Sequence, residues 1–327
     1  MKRATSPSFV TAAVLILTAV SLTAVFLTAV PSQAVVNIQN IGSGARASSL
    51  GNAFVAVADN ADAVFANPAG LNQLKSAQLA YTNVSLLFTG ISADNLGQHV
   101  ASYARPLGGK MSLGLGYERI GSDLLSENGA FLSLSFKLSP KLSLGLTGKY
   151  VFWSVGDIPN DAVSGLADPL SNQSQGAIGA DIGLLWKAPI RDARVGFLLK
   201  NALQPNVAKG PVKNVDGSDA GDVPMDLHLG FSTSVAEASM VSVQWVMRDL
   251  TGEQVDKRLV IGGETKVAEG FMLRAGGSKI FEDQASGDIN AGLGYKWNKT
   301  MFDYGYHIPL DLTETNGSHR FSLGYVF

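Results

Sequence analysis

The stretch KMSLGLGYERI, residues 110–120, alternates apolar side chains with small or polar ones. In an extended chain every second side chain lies on the same face, so Leu115 falls on an apolar face and Glu118 on the opposite, polar face. The same alternation returns in DINAGLGYKW, residues 288–297, and in HRFSLGYVF, residues 319–327. A period of two over segments of this length predicts β-strands with one apolar and one polar face.

We predict about fourteen such segments after residue 76, each of roughly ten residues. Their expected starts lie near Ala77, Gln98, Lys110, Ala130, Lys141, Gln175, Arg194, Met225, Met240, Arg258, Phe271, Ile289, Thr300 and Ser318. An even number of antiparallel strands is typical of the single-chain barrels that cross bacterial outer membranes.

The links between these segments alternate in length along the chain. Links after even-numbered segments are short, such as SP after the fourth and NK after the twelfth. Links after odd-numbered segments are mostly longer; they include GSDLLSENG, residues 121–129, and the stretches near 154–174 and 202–224. In outer-membrane barrels short turns lie on the periplasmic side and longer loops on the outside. The alternation therefore predicts that both termini of the chain lie on the short-turn, periplasmic side.

The two faces of the segments differ in a way that favours a membrane barrel. The apolar face carries aromatic residues near segment ends, as in interfacial girdles: Tyr103, Trp186, Trp245, Tyr304 and Phe327. The other face carries charges that suit a wet lumen: Glu118, Lys149, Asp181, Arg248, Glu264, Arg274, Asp303 and Arg320. We predict an all-β protein, a transmembrane antiparallel barrel of about 14 strands formed by residues 77–327. A soluble β-sandwich or propeller is the alternative.

The N-terminus has the features of an export signal. Lys2 and Arg3 precede an apolar run, and Ser32-Gln33-Ala34 has small residues at the positions that a signal peptidase inspects. We expect residues 1–34 to be removed on export; an anchor helix is the alternative. The absence of Cys excludes disulfides and thiolate metal sites, and the formal net charge of −2 gives no electrostatic case for nucleic acid.

Residues 35–76 are predicted to form a helical or irregular plug in the lumen. Within LGNAFVAVADNADAVFANPAGLNQL, residues 50–74, apolar side chains recur on one helical stripe: Leu50, Phe54, Val57, Ala61 and Val64. Ser48 or Ser49 is the expected N-cap, and Pro68 ends the pattern. Such a segment cannot lie in the hydrocarbon with its backbone unsatisfied, whereas inward glycines leave room for it in the lumen. The predicted inward glycines are Gly114, Gly116, Gly145, Gly179, Gly183, Gly196, Gly230, Gly262, Gly292, Gly294 and Gly324. A periplasmic docking arm is the alternative.

The plug and the inward charges supply the candidate site residues. Four apolar plug side chains are candidate contacts for a hydrophobic ligand: Phe54, Val57, Phe65 and Leu71. The turn that sets the path of the plug is expected at Asn67, Pro68 and Gly70. Packing of these apolar side chains against the barrel wall is the alternative. Inward charges such as Glu264 and Arg274 are expected to hold the plug through charge-assisted hydrogen bonds, with solute selection as the alternative.

Enzymatic chemistry has little support in the sequence. The four histidines lie in four separate strand segments, and no pair has the short spacing of a metal site. We therefore expect no metal, no cofactor and no catalytic site.

Both ends of the mature chain resemble a known family. GARASSLGNAFVAVADNADAVFANPAGL, residues 44–71, is similar to the opening signature of the PorV/PorQ family, which belongs with the FadL-like outer-membrane barrels. FDYGYHI, residues 302–308, and HRFSLGYVF resemble that family's closing strands. The terminal Phe327 resembles the aromatic residue by which the barrel assembly machinery recognises outer-membrane proteins.

The resemblance implies a 14-stranded barrel in the lipid of the outer membrane, with an N-terminal hatch. It implies a FadL-like channel that passes small hydrophobic molecules into the barrel and sideways into the membrane. The alternative is a PorV-like component of the type IX secretion system, which would bind protein partners through the long loops near 154–174 and 202–224.

Overall fold

The fold is described by a computed structural model. It describes residues 44–86, 97–122, 124–158, 171–207, 222–252, 255–281, 286–310 and 317–327. The predicted export signal, residues 1–34, and the start of the predicted plug, residues 35–43, lie outside these ranges. Their boundaries therefore stay predictions.

Fourteen antiparallel strands form one closed barrel in which each strand pairs with its neighbours in sequence. The strands are β1 (Gln78–Leu86), β2 (Gly97–Gly108), β3 (Met111–Gly121), β4 (Leu125–Lys137), β5 (Leu142–Val155), β6 (Ser174–Lys187), β7 (Arg194–Lys200), β8 (Asp226–Ala236), β9 (Ser239–Arg248), β10 (Asp256–Ala268), β11 (Phe271–Ile280), β12 (Gly287–Trp297), β13 (Thr300–Pro309) and β14 (Ser318–Val326). The barrel closes between β1 and β14, where Gln78 lies opposite Val326. The predicted fold class is confirmed.

One predicted loop is wrong. The stretch 121–129 was expected to be a long link, but β4 begins at Leu125 and Glu118 of β3 pairs with Gly129. Polar side chains there are satisfied within the sheet, since the Tyr117 hydroxyl donates to Asn128 Oδ1 over 2.9 Å. The polar residues that suggested a loop therefore lie at the end of β3 and the start of β4.

The outer wall of the barrel is apolar. Large side chains on the outward positions of nearly every strand are exposed, as Leu132, Ile178 and Leu293 illustrate. Inward positions alternate with them and carry the small and charged residues, so the two faces fall as the period of two predicts. A wall of this kind suits a lipid environment, because exposed apolar patches of such extent are rare on soluble proteins.

Residues 44–76, called the plug from here on, lie inside the barrel. The plug contains α1 (Ala45–Ser49), α2 (Ala63–Ala66) and a 3₁₀ helix (Pro68–Gln73), whose neighbours include β3 to β6 and β11 to β14. In the described ranges, no helix is both long and apolar enough to cross a membrane.

The plug is not the one continuous helix that its apolar stripe suggested. The backbone turns at Asn52, where φ is 70°, and at Ala58, where φ is 32°. Ser48 and Ser49 lie inside α1, whose N-cap is Gly44 without a side-chain hydrogen bond, so the predicted cap is wrong. The predicted stop at Pro68 is correct: α2 ends at Ala66 with Asn67 as its C-cap, and Pro68 begins the 3₁₀ helix.

Candidate functional site

Glycines on the inner wall form the seat of the plug. A Cβ atom at Gly145 would overlap the backbone of Pro68 and Ala69, and one at Gly262 would overlap the backbone of Leu50. The predicted inward glycines that meet the plug in this way are Gly114, Gly116, Gly145, Gly183, Gly196, Gly230, Gly262 and Gly292. Gly276 and Gly305, which were not predicted, do the same. Glycine here allows a close approach between the wall and the plug.

Other predicted inward glycines face barrel side chains instead. Gly179 lies beside Lys149, Gly294 beside Arg274, and Gly324 beside Met301. The glycines that form the seat therefore lie at the height of the plug along the barrel axis. Inward glycines elsewhere in the lumen do not contact the plug.

Polar side chains of the wall satisfy the irregular backbone of the plug. Gln244 Oε1 accepts hydrogen bonds from the N–H groups of Phe54 and Val55 over 3.1 and 3.0 Å. Ser242 Oγ donates to the Ala53 carbonyl over 2.6 Å, and Ser232 Oγ donates to the Ala56 carbonyl over 3.1 Å. Buried backbone groups without partners would destabilise the closed barrel, so these side chains make a non-helical plug possible.

Asn67 joins two parts of the plug to the wall. Its fully buried side chain donates from Nδ2 to the Val55 carbonyl over 2.9 Å and to the Leu184 carbonyl of β6 over 3.0 Å. Its Oδ1 accepts from the Ala69 N–H over 3.1 Å. Gly70 lies so close to Ala58 that a Cβ atom would overlap that residue's backbone. The predicted turn residues thus lie where the two halves of the plug meet.

An ionic chain near the short-turn end of the barrel links the plug to the wall. Arg46 of α1 donates from Nε and Nη2 to Glu264 of β10 over 2.8 and 2.9 Å, and from Nη1 to Asp59 over 2.5 Å. Arg274 of β11 donates to Glu264 over 2.6 Å and to Asp303 of β13 over 2.6 Å. We call these five residues the plug lock. Bidentate arginine–carboxylate contacts are among the stronger and more directional polar contacts in proteins.

The charge of Arg46 is stabilised by its partners. Burial alone lowers the pKa of Arg46, but the carboxylates of Asp59 and Glu264 outweigh that effect and raise the pKa above its ordinary value. Arg46 therefore stays a cation inside the barrel.

A second polar contact ties α2 to the opposite wall. Ser102 Oγ of β2 donates to Asp62 Oδ1 over 2.8 Å, and both side chains are buried. Burial raises the pKa of the Asp62 carboxyl, and the hydrogen bond from Ser102 partly offsets this. The plug is thus held on β2 as well as on β10.

The remaining predicted lumen charges lie on the long-loop side of the plug. Asp181 of β6 pairs with Lys149 of β5 over 2.6 Å, and both are buried. Arg320 lies 3.5 Å from Gln98, while Glu118 and Arg248 occupy inward positions near the ends of β3 and β9. The structure therefore joins Glu264, Arg274 and Asp303 in the plug lock but leaves the other five predicted lumen charges apart from it.

The four candidate ligand contacts are packed in the closed plug. Phe54, Val57 and Leu71 are 2%, 0% and 0% exposed, and Phe65 is 9% exposed. Phe65 packs edge-on against Phe131 of β4, with ring centroids 5.0 Å apart. Lys149 lies 6.0 Å from the Phe131 ring, so this aromatic pair borders the polar region on the long-loop side. In this state the four side chains act as packing residues, and their role in ligand binding stays a prediction.

The histidines do not form a metal site. His99 Nδ1 lies 2.8 Å from the Tyr81 hydroxyl, His319 Nδ1 lies 2.7 Å from that of Tyr304, and His228 Nδ1 lies 3.1 Å from Gln244. Among the residues that the structure describes, no group of three or more His, Cys, Asp or Glu could hold a metal ion.

Sequence reasoning missed two of the five residues of the plug lock. Alternation along the strands predicted Glu264, Arg274 and Asp303 as inward, but Arg46 and Asp59 were not singled out. A signal was present, because Arg46 and Asp59 are isolated charges in an otherwise mostly apolar and small-residue segment. A charge in a segment expected to be buried requires a partner of opposite sign.

These features define a class of protein: a closed antiparallel β-barrel of 14 strands whose lumen is filled by a segment from its own N-terminal part. No protein-family model matches the chain, and no curated protein matches it. The resemblance to the PorV/PorQ family thus has no support from a family model.

Solved structures share this fold at low sequence identity. The Ralstonia pickettii toluene transporter TbuX matches with a TM-score of 0.65 and 13% identity over 89% of this chain and 100% of that one. The Pseudomonas putida toluene transporter TodX matches with a TM-score of 0.63 and 15% identity over 88% and 99%. A Pseudomonas aeruginosa FadL homologue matches with a TM-score of 0.56 and 15% identity over 87% and 98%. The chain therefore has the fold of FadL-type barrels.

Proposed function

We propose that this chain is an outer-membrane channel for small hydrophobic molecules, with the plug as its gate. The observation that carries the proposal is a plug held by noncovalent contacts inside a barrel with an apolar outer wall. The same fold occurs in TbuX and TodX, which are toluene transporters. Small apolar molecules, including monoaromatic hydrocarbons, are the proposed substrates.

The proposed route begins on the long-loop side. A molecule that enters there meets the Phe65–Phe131 pair at the boundary of the plug. Because the lumen below this pair is filled by packed side chains and a hydrogen-bonded backbone, passage requires the plug to shift. A shift would break the contacts of Arg46 and Asp62 while the strand pairing of the barrel is kept. Phe54, Val57 and Leu71 would then become available to an apolar ligand.

The proposed location follows from the same features. The apolar wall suits the outer-membrane bilayer, and export would use residues 1–34. Phe327 is exposed at the end of β14, in position to be recognised during barrel assembly. We propose no catalytic activity.

A secretion role is the alternative prediction from the resemblance. It assigns protein partners to the loops near 154–174 and 202–224, and residues 159–170 and 208–221 of these loops lie outside the described ranges. The transport role is preferred because the plug and lumen offer a device for gating a small molecule.

Uptake measurements test the proposed function. The chain is expressed in a bacterium that lacks its own hydrocarbon channels, and accumulation of radiolabelled toluene is compared with that in cells carrying an empty vector. We expect several-fold faster accumulation of toluene and unchanged accumulation of a labelled disaccharide. Toluene accumulation equal to the vector control, with correctly folded barrel present in the outer membrane, contradicts the proposal.

A further inference from the structure

Basic residues form a row at the short-turn end of the neighbouring strands β3 to β7. Lys187, the last residue of β6, lies opposite Arg194, the first residue of β7. The Lys187 N–H donates to the Lys141 carbonyl over 2.7 Å, and the Lys137 N–H donates to the Lys110 carbonyl over 2.7 Å. We call this row the basic arc: Lys110, Lys137, Lys141, Lys187 and Arg194. Because neighbouring strands lie about 4.8 Å apart, the arc extends over roughly 20 Å of the barrel rim.

The basic arc lies on the lumen face of the wall. On β4, Lys137 has the same parity as Ser135, whose Oγ donates to the Ala69 carbonyl of the plug over 3.2 Å. On β7, Arg194 Nη1 donates to the Val57 carbonyl of the plug over 3.5 Å. Residues directly opposite each other in an antiparallel sheet share a face, so the remaining members of the arc face the same way. The arc therefore borders the mouth of the lumen and not the lipid around the outer wall.

The positive charges of the arc are largely uncompensated within the fold. All four lysines are exposed, and none forms an ion pair with another residue in the described ranges. Lys187 lies close enough to Arg194 and Lys137 to be repelled by both, and Asp192 attracts it. Like charges that face each other across a sheet are destabilising. The row therefore weakens this end of the barrel, and attraction of anions gives a physical reason for it.

A solute that passes the plug must also pass the basic arc. The 3₁₀ helix of the plug contacts β3 to β6, and the backbone of Ala69 lies against Gly145 of β5. Lys141 lies four residues from Gly145 toward the short-turn end, a distance of about 13 Å along an extended chain. The arc thus lies between the plug and the solvent at this mouth.

The opposite side of the mouth is also basic. In the order of 14 strands β12 lies opposite β5, and Lys296 of β12 and Lys266 of β10 are exposed at inward positions. The inward carboxylates Glu264 and Asp303 at this end are paired with arginines of the plug lock. Other exposed carboxylates at this end lie in the turns, at Asp192, Glu237 and Glu269.

We propose that the basic arc is a charge filter at the short-turn mouth, where it concentrates small anions and repels cations. Rings of lysine or arginine side chains give anion selectivity to pores. The Debye length is about 10 Å at 0.1 M salt, so the field of the arc reaches ions that pass along this side of the mouth. Neutral apolar molecules are unaffected, whereas hydrophobic cations are excluded. The effect on passage rests on the proposed function, because the plug must shift first; the attraction of anions at the mouth does not.

Paired thiol reagents measure the field of the arc while the plug is in place. The chain has no Cys, so Ser143→Cys adds a single thiol at the inward position of β5 opposite Lys137. Its rates with an anionic sulfonatoethyl and a cationic trimethylammonioethyl methanethiosulfonate are each divided by the rate of free 2-mercaptoethanol. We expect a normalised anion-to-cation ratio of about ten at 0.1 M salt, which approaches one in 1 M salt. A ratio of one or less at 0.1 M salt overturns the proposal.

Lysine variants test whether the arc is the source of the field. Added to the chain with the single thiol, Lys137→Gln with Lys187→Gln should lower the anion-to-cation ratio about threefold. Lys110→Gln with Lys141→Gln removes the other two lysines, which keeps the test valid if the first pair fails to fold.

A matched pair of exposed cations on the outer wall is the control. Arg105 of β2 and Lys257 of β10 lie opposite Leu113 and Met247 at outward positions. Arg105→Gln with Lys257→Gln should leave the anion-to-cation ratio unchanged. A ratio that stays the same in both arc pairs, or falls equally in the control pair, overturns the proposal.

Ion currents test the consequence for passage. In planar bilayers with a tenfold KCl gradient, Gly145→Ala should displace the plug and give currents that favour chloride over potassium about tenfold. Adding Lys137→Gln with Lys187→Gln should reduce that preference several-fold. Currents that favour potassium overturn the charge filter. If Gly145→Ala gives no current, the gate of the proposed function is contradicted, and the thiol rates still decide the role of the arc.

Discussion

Arg46 is the residue through which the plug and the barrel wall are most directly joined. It contacts Asp59 within the plug and Glu264 on the wall, so one guanidinium links both. Arg274 extends the link to Asp303. Removing one member of a buried charge network leaves its partner charges unpaired in the protein interior. The resulting loss of stability exceeds the net stability that the intact network contributes.

Arg46→Gln should loosen the plug without unfolding the barrel. We expect the plug contacts at this end to lose about 2–4 kcal/mol, since the carboxylates of Asp59 and Glu264 lose their shared cation. Faster hydrogen exchange of residues 44–62 and more frequent open-channel currents in planar bilayers are the measurements. Lys296→Gln, an exposed lysine at the same end, is the control. Exchange and currents equal to wild type would contradict the role of the lock.

Gly145→Ala should displace the plug because the added Cβ atom overlaps the backbone of Pro68 and Ala69. Overpacking of this kind typically costs about 1–3 kcal/mol. We expect higher channel conductance and weaker protection of residues 67–73 from hydrogen exchange. Gly148→Ala on the same strand is the matched control, because a Cβ atom there meets nothing within 4 Å. Equal effects of the two variants would show that the close approach of the plug to Gly145 does not hold the plug in place.

Single positions differ in how well the sequence predicts them. The alternation along a strand decides which way Glu264, Arg274 and Asp303 point, so their inward orientation was predictable. Which charges meet depends on the path of the plug, and the contact of Arg46 with Glu264 spans 218 residues of sequence. Spacing along the chain carries no information on such a contact.

At the level of elements, the strands and the position of the plug in the lumen were predictable, whereas the backbone conformation of the plug was not. Strand starts follow the apolar alternation, and β7, β11, β13 and β14 begin at the predicted residues. The start of β4 was missed because its first residues are polar at the end of the sheet. A spacing of three to four residues between apolar side chains predicts a helix because backbone groups usually hydrogen-bond within the helix. The prediction fails where other side chains bond those backbone groups instead. Gln244 and Ser242 replace those bonds for residues 53–55 of the plug.

Deletion of residues 35–66 should leave a folded but leaky barrel. The barrel closes through the pairing of β1 with β14, which uses none of the deleted residues. We expect the heat-dependent gel mobility of a folded barrel to persist, together with a large increase in conductance. A chain that fails to assemble would show that the plug is part of the folding core and would remove its role as a gate.

The whole molecule combines a fixed wall with a bound segment that the wall encloses. The outer face is apolar and the inner face is polar, and both follow from one period of two in the sequence. The fold class was therefore predictable from the strands alone. The substrate was not, because transport depends on which plug contacts break and on the space that opens when they do.

The most direct test of the account is to lock the plug with a reversible disulfide. The chain has no Cys, so Asp62→Cys with Ser102→Cys adds the only pair, at side chains that already touch over 2.8 Å. The account predicts that uptake of labelled toluene falls to the level of cells without the channel when the pair is oxidised, and recovers on reduction. The single variant Ser102→Cys should transport toluene under both conditions. Equal uptake before and after reduction, with the disulfide verified by mass spectrometry, would contradict a gating plug.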